Sequence, residues 1–392
     1  MKKSFPNILF LIVMLCVLIG ILKYPKLALN SATDGLYTWF NIVIPSLLPF
    51  FIVSEILVGI GFVNFISKFL QPLMKPIFNV SGAGAFSLSM SLVSGYPIGA
   101  KIVSHLRQNN TISKIEADRM VCFSSTSGPL FILGAVSIGM LNNPQLESLI
   151  IYPHYLGAIT IGLILRFYKG QNNYKFGQST ILNPMASKPD INLSIGSLLA
   201  NSVKKSMNTI ALIGGFIIFY SVLTELLFLS KFFNLSINTI NKIIPINIEV
   251  LKGFVAGMLE LTTGCKKISA ININIIYKIA IINFLIGWSG FSIHSQALSF
   301  ICNTDINVKL YLFAKFLHGI FSSFYSLILY IIKYKTIIQP SFLPNTYTIK
   351  SMYLLEWPIL FISSIKLAIL VTIYMLISSL IMLLISSFSS LK

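Results

Sequence analysis

Six stretches of this chain run nearly free of charge for about the length that crosses a bilayer: residues 8–22, 42–62, 148–165, 209–229, 308–332 and 368–385. At 1.5 Å per residue, about 20 helical residues span the roughly 30 Å hydrocarbon core. A chain that owns several such stretches has few options in water. Hydrophobic residues make up 55% of its 392 residues and charged ones 10%, against roughly 25% charged in soluble domains. It lacks the polar side chains to cover a soluble surface, so the expected fold is all-α: a polytopic transmembrane helical bundle. Met1-Lys2-Lys3 ahead of 8–22 has the form of a secretory signal. No small-x-small cleavage site follows Lys23, and more spans come after it, so the reading is an uncleaved first span.

The formal net charge of +18 suits a positive-inside bias and attraction to anionic lipid, which makes membrane lipid an expected partner. The lysines are scattered among apolar spans and build no basic domain, so nucleic acid is not expected. Cysteines 16, 122, 265 and 302 have no metal-ligand spacing and read as small buried hydrophobes. No Walker-type loop, H-E-x-x-H or G-x-S-x-G arrangement occurs, so no catalytic residue, metal or cofactor is expected and the chain is not read as an enzyme.

The polar stretch 166–190 carries Arg166, Lys169, Lys175 and Lys188, and its only acid is Asp190. It reads as a cytosolic linker, and the turn at Asn142-Asn143-Pro144, free of Lys and Arg, as facing the other side. The linker separates two stretches, 35–165 and 197–332, with the same order of parts. Each opens on a span holding an acid beside a hydroxyl, Ser54-Glu55 and Thr224-Glu225. Each continues with a Gly-containing hairpin, Ser94-Gly95-Tyr96-Pro97 and Thr262-Thr263-Gly264. Each then has a helix broken at Ser127-Gly128-Pro129 or Ser289-Gly290. The order predicts two structural repeats, of the inverted-repeat kind, within one membrane domain, followed by a C-terminal span at 358–388.

Broken segments at corresponding positions of two repeats point to a transporter site. In hydrocarbon every backbone N–H and C=O must be paired, so a break survives only when buried in protein or lining a cavity. Pro97 and Pro129 suit the first position of a new half-helix, whose free N–H groups and positive dipole end would face the break. Pro97 to Arg107 is about 16 Å of helix, half a bilayer, which puts the Gly95 break near the midplane. Ordinary kinks eased by small residues are the alternative. The turn Arg107-Gln108-Asn109-Asn110 reads as an exit from the membrane, with Ser113 and Glu116 as a capping box for the next helix.

Ionisable groups inside apolar spans are functional candidates by default: Glu55, Lys101, Glu225, Glu260, Lys266, Lys267 and His294. Glu260, one turn before Gly264, reads as a substrate or proton site, against a helix–helix hydrogen bond. Glu55 and Glu225 read as braces for a broken hairpin. The lysines either snorkel to the interface or meet an anion. Ser292, His294 and Gln296 form a polar cluster after the Ser289-Gly290 break.

The motifs Ser94 to Lys101, Ser127 to Val136, Glu260 to Gly264 and Trp288 to Gln296 resemble those of the YlbJ family of sporulation integral membrane proteins. That family lies in the nucleoside-recognition gate group, which is similar to the concentrative nucleoside transporters. The resemblance implies an outer forespore membrane and a carrier of dipicolinic acid from mother cell toward forespore, as part of building the spore cortex. The expected solute contacts are Ser94, Gly95, Tyr96, Pro97, Lys101, Ser127, Gly128, Glu260, Thr262, Thr263, Gly264, Lys267, Ser289, Gly290, Ser292, His294 and Gln296. A nucleoside-like solute and a non-transporting scaffold for spore-envelope assembly are the competing readings. Coupling ion, direction and oligomeric state, a homo-oligomer included, stay open.

Overall fold

The structure is a computed structural model that describes residues 4–170, 195–243 and 246–334, together with Ile369. The chain divides into two compact units, Met1–Ile332 and Lys333–Lys392; all the elements named below belong to the first. The expected span at 358–388 and most of the expected linker lie outside the described residues. The described chain is helical, with no strand, as long apolar segments demand where only helices pair their own backbone.

Helix α1 (Ser4–Lys23) leads into α2 (Pro25–Thr38), which passes through a wide-turn segment, Trp39–Val43, into α3 (Ile44–Gly59). The second span therefore begins at Pro25, well before residue 42, and runs 35 residues. The extension is a polar-tolerant stretch, Lys26 to Thr38, whose small residues Ala28, Ser31 and Gly35 are buried; hydropathy misses packing of this kind. Helix α4 (Phe62–Phe78) follows, bent by 110° from α5 (Ala83–Ser94). Then come α6 (Ile98–Gln108), α7 (Lys114–Phe123), an unwound stretch at 124–128, a helix from Pro129 that takes wide turns over Phe131–Met140, and α8 (Glu147–Leu165).

The second stretch has a similar order of elements. Helix α9 (Ile195–Leu229) is again a 35-residue span; α10 (Lys231–Ile243) is short, as α4 is. A helix–break–helix pair follows, α11 (Ile248–Leu259) and α12 (Leu261–Ala270), then a second pair, α13 (Ile275–Trp288) and α14 (Gly290–Ile301), and finally α15 (Val308–Leu329). Among the described residues five helices, or six with the bent pair, are long and apolar enough to cross a membrane.

The two long spans pack on each other, and α8, α13 and α15 form a second packed group. Trp39 fills the space over Gly214, its indole donating to Ile210 O at 2.9 Å. Phe78 stacks on Phe123 at 4.4 Å between ring centres. Cys122 and Cys265 are buried as expected, whereas Cys16 and Cys302 lie at the surface, on α1 and just past the end of α14.

Polar side chains fasten the helix ends. The capping box forms: Ser113 Oγ accepts from Glu116 N at 3.2 Å and Glu116 Oε2 from Ser113 N at 3.0 Å. Arg107 donates to both oxygens of Asp305, at 2.8 and 2.9 Å, and holds that carboxyl below the usual carboxylate range. Arg119, 3% exposed, donates to Asn79 O, Tyr168 O and Gly170 O at 2.7, 2.6 and 2.8 Å, tying the end of α4 to the end of α8. A buried carbonyl stripped of its donor costs about 1–3 kcal/mol. Arg119→Ala should therefore lower the unfolding temperature of the detergent-purified protein by several degrees, and Arg119→Lys by less. An unchanged melting curve for the alanine variant would show that water replaces the guanidinium at no cost.

Candidate functional site

Four interruptions of helix define the site, and each has a local cause. At the first, α5 ends at Ser94 and Gly95 takes φ 71° and ψ −170°, a conformation open to glycine. A cis Tyr96–Pro97 peptide follows, and Pro97 sits at the N-cap of α6. At the second, the chain unwinds from Ser124 to Gly128 and Pro129 opens the next helix, where its missing N–H is harmless. At the fourth, Ser289 (φ 82°) and Gly290 (φ 78°) are both left-handed and separate α13 from α14.

The third break differs from the expectation. It falls at Glu260 and not at Gly264, which lies inside α12. Glu260 is extended (φ −140°, ψ 118°) and caps α12: Oε1 accepts from Thr262 N at 3.0 Å and Oε2 from Thr263 N at 2.6 Å. An acidic cap of this type opens a helix without any glycine. Gly264 serves a different purpose: a Cβ there would collide with the backbone of Gly257 in α11, so it sets the close approach of the two arms of the hairpin.

The breaks meet. A Cβ on Gly95 would lie 2.7 Å from Gly128 N, and one on Gly290 3.0 Å from Leu261 N. Around them lies a cavity of about 70 Å³, room for roughly five water-sized spheres. Ser94, Gly95 and Tyr96 line it from the first break, Ser127 and Gly128 from the second, Glu260 and Thr262 from the third, Ser292 and Gln296 from the fourth. Its apolar wall comes from the two long spans, through Leu47, Phe50 and Phe51 of α3 and Ile213, Phe216 and Ile217 of α9.

The other expected contacts stand apart from this cavity. Pro97, Ser289 and Gly290 shape the breaks without lining it. Thr263 Oγ1 meets Ser221 Oγ at 3.3 Å. His294 is buried behind the wall, its Nδ1 3.3 Å from Tyr311 Oη and its ring edge-on to Trp288. Lys101 is exposed, its ammonium 5.8 Å from the Phe300 ring. Lys267 pairs with Glu225 at 2.6 Å in a separate, open hollow. Neither lysine lines the cavity. Lys266 donates to Thr38 Oγ1 at 2.7 Å. Glu225 thus ties α9 to the second hairpin. In the first stretch the tie is made by Ser54, whose hydroxyl donates to Val93 O at 3.3 Å, while Glu55 reaches Lys205 of α9 at 3.7 Å.

One cluster went unread in the sequence. Lys315 of α15 is fully buried, with Nζ 2.8 Å from Ser125 O, 3.3 Å from His318 Nδ1 and 5.5 Å from the Tyr96 ring centre. His318 Nε2 donates to His154 O at 2.8 Å, and His154 Nε2 accepts from Ser127 N at 2.9 Å. The signal was available: charged and histidine residues inside 308–332 and 148–165 meet the same rule that picked out Glu260. Sequence alone does not say whether Lys315 faces lipid headgroups or the interior.

Among the described residues no group of three His, Cys, Asp or Glu side chains could hold a metal ion. A family model described as Gate: Nucleoside recognition matches residues 5–142. The Sporulation integral membrane protein YlbJ of Bacillus subtilis (strain 168) is 35% identical over 326 residues, covering 79% of this chain and 79% of that protein. No solved structure matches the chain.

The packing around the glycines can be tested by size alone. Gly95→Ala and Gly264→Ala each force a Cβ into neighbouring backbone and should sharply reduce folded yield in membranes. Gly215→Ala, with nothing within 4 Å of the added carbon, should fold as well as the parent or better, since alanine favours helix by about 1 kcal/mol. Comparable folded yields for all three variants, read by size-exclusion chromatography in detergent, would contradict these contacts.

Proposed function

The chain belongs to the YlbJ family of sporulation integral membrane proteins, and on that footing we propose that it is a carrier, and not an enzyme, for a small organic anion. Dipicolinic acid is the first candidate, moved from mother cell toward forespore across the outer forespore membrane. The observation that carries this reading is the meeting of four helix interruptions, two from each stretch of chain, on one cavity. Broken helices lining an internal cavity are how secondary transporters build a solute site between repeats. A scaffold has no use for them, and the matched element order supports an internal duplication.

The cavity suits a compact carboxylate. The half-helices opening after Pro97, at Pro129 and at Gly290 begin beside it, and helix N-termini favour anions. Ser94, Ser127, Thr262 and Ser292 bring hydroxyls, and apolar rings close the opposite wall. Glu260 is the term that opposes an anion. Both of its oxygens already accept from the first turn of α12, so its charge is spent on that helix. A nucleoside-like neutral solute is the second reading, favoured by the family model over residues 5–142.

Uptake into proteoliposomes separates the two readings: labelled dipicolinate should enter and a neutral nucleoside should not, and the reverse result would sink the anion reading. Within that assay Glu260→Gln should reduce dipicolinate uptake, because an amide has one acceptor oxygen for the two N–H groups that Glu260 caps, Thr262 and Thr263, and the break beside the cavity loses its shape. Glu55→Gln and Glu225→Gln break pairs that stand apart from the cavity and should stay within roughly twofold. Lys101→Ala and Lys267→Ala should do the same. Equal losses across all the variants at matched protein levels would mean that nearness to the break does not decide function.

A further inference from the structure

Lys315 sits 0% exposed with no carboxylate in ion-pair distance among the described residues. A buried cation is costly unless something compensates it. Its three donors have three destinations: Ser125 O, His318 Nδ1 and the face of Tyr96. That pattern suits an ammonium. The neighbours do not share the charge. His318 accepts at Nδ1 and donates at Nε2, and His154 accepts at Nε2, so each has the bonding of a neutral ring with one proton. Cys122 of α7 and His294 of α14 also interact with the ammonium, and neither brings a carboxylate.

The cation stands directly behind the cavity. Tyr96, whose ring it overlies, lines the cavity, and Ser125, whose carbonyl it holds, belongs to the unwound stretch that brings Ser127 and Gly128 there. In a water-poor interior a charge so placed is felt strongly across a side chain. We propose that Lys315 is the charge selector of the cavity, its uncompensated ammonium completed by a small carboxylate solute bound against Tyr96 and the second break. The proposal rests on the reading that the cavity takes a solute, and it assigns the preference for an anion to a residue that lies outside the cavity wall.

The test uses the full-length protein in proteoliposomes, with labelled dipicolinate displaced by dipicolinate, picolinate and pyridine, three planar rings bearing two, one and no negative charges. In the parent protein affinity should climb with each charge. Lys315→Met keeps the length of the side chain and removes its charge. It should weaken dipicolinate binding about 10- to 100-fold and flatten the series, while Lys315→Arg should keep part of the steps. A merely structural lesion would weaken all three compounds alike, and that result, or an unchanged series in the methionine variant, would overturn the proposal. Should the methionine variant fail to fold, equal displacement by all three compounds in the parent protein would overturn it too, and a stepped series retained in the arginine variant would support it. A parent protein that binds none of the three would instead overturn the carrier reading itself.

Discussion

The structure depends on one rule of the hydrocarbon interior: a backbone N–H or C=O released from a helix must find another partner. Here the partners are side chains from other helices. Ser91 Oγ accepts from Thr126 N and His154 Nε2 from Ser127 N, while Tyr155 Oη donates to Ser127 O and Lys315 Nζ to Ser125 O. Four side chains thus hold the backbone of Ser125, Thr126 and Ser127, three of the five residues of the second break. The breaks also brace one another, since Tyr96 donates to Ile286 O ahead of the fourth break and Trp288 donates to Met258 O ahead of the third. Remove these bonds and the breaks would cost several kilocalories per mole.

That arrangement explains why the site is polar at its centre and apolar at its flank. The residues nearest the cavity come in two kinds: those freed by a break, with hydroxyls and helix N-termini, and those of the two long spans, which bring Phe50, Phe51 and Phe216. The cavity presents dipoles on one side and rings on the other. Of the two ionisable groups, Glu260 lines the cavity but turns both oxygens onto its own helix, and Lys315 lies one layer back, behind Tyr96. For the proposed anion carrier, such a layout would separate recognition of shape, made by contact, from recognition of charge, made through the low-dielectric interior.

Much of this was written in the sequence. Apolar runs near 20 residues required membrane helices, because no other use of so much apolar surface is stable. Gly95, Gly128 and Ser289-Gly290 marked breaks, because positive φ and proline placement are local demands that a residue type reveals. The capping box at Ser113 and Glu116 was legible for the same reason. Glu260 stood out as an unusual acid and it lines the cavity, but that it caps α12 was not legible. A glycine at 264 looked like the break, whereas the carboxylate itself opens the helix.

Sequence by itself determined the environment, the helical class, the order of parts and three of the four breaks, since each follows from local chemistry or from the cost of exposing backbone to lipid. Only the tertiary structure decided which breaks touch, that Gly264 is a packing surface, that Lys101 and Lys267 do not line the cavity, and that Lys315 lies buried behind it. Those facts depend on which face of one helix meets another, and helix–helix packing is set by pairs of residues far apart in the chain, such as Gly95 with Gly128 and Lys315 with Ser125. No periodicity within a single segment encodes such a pair.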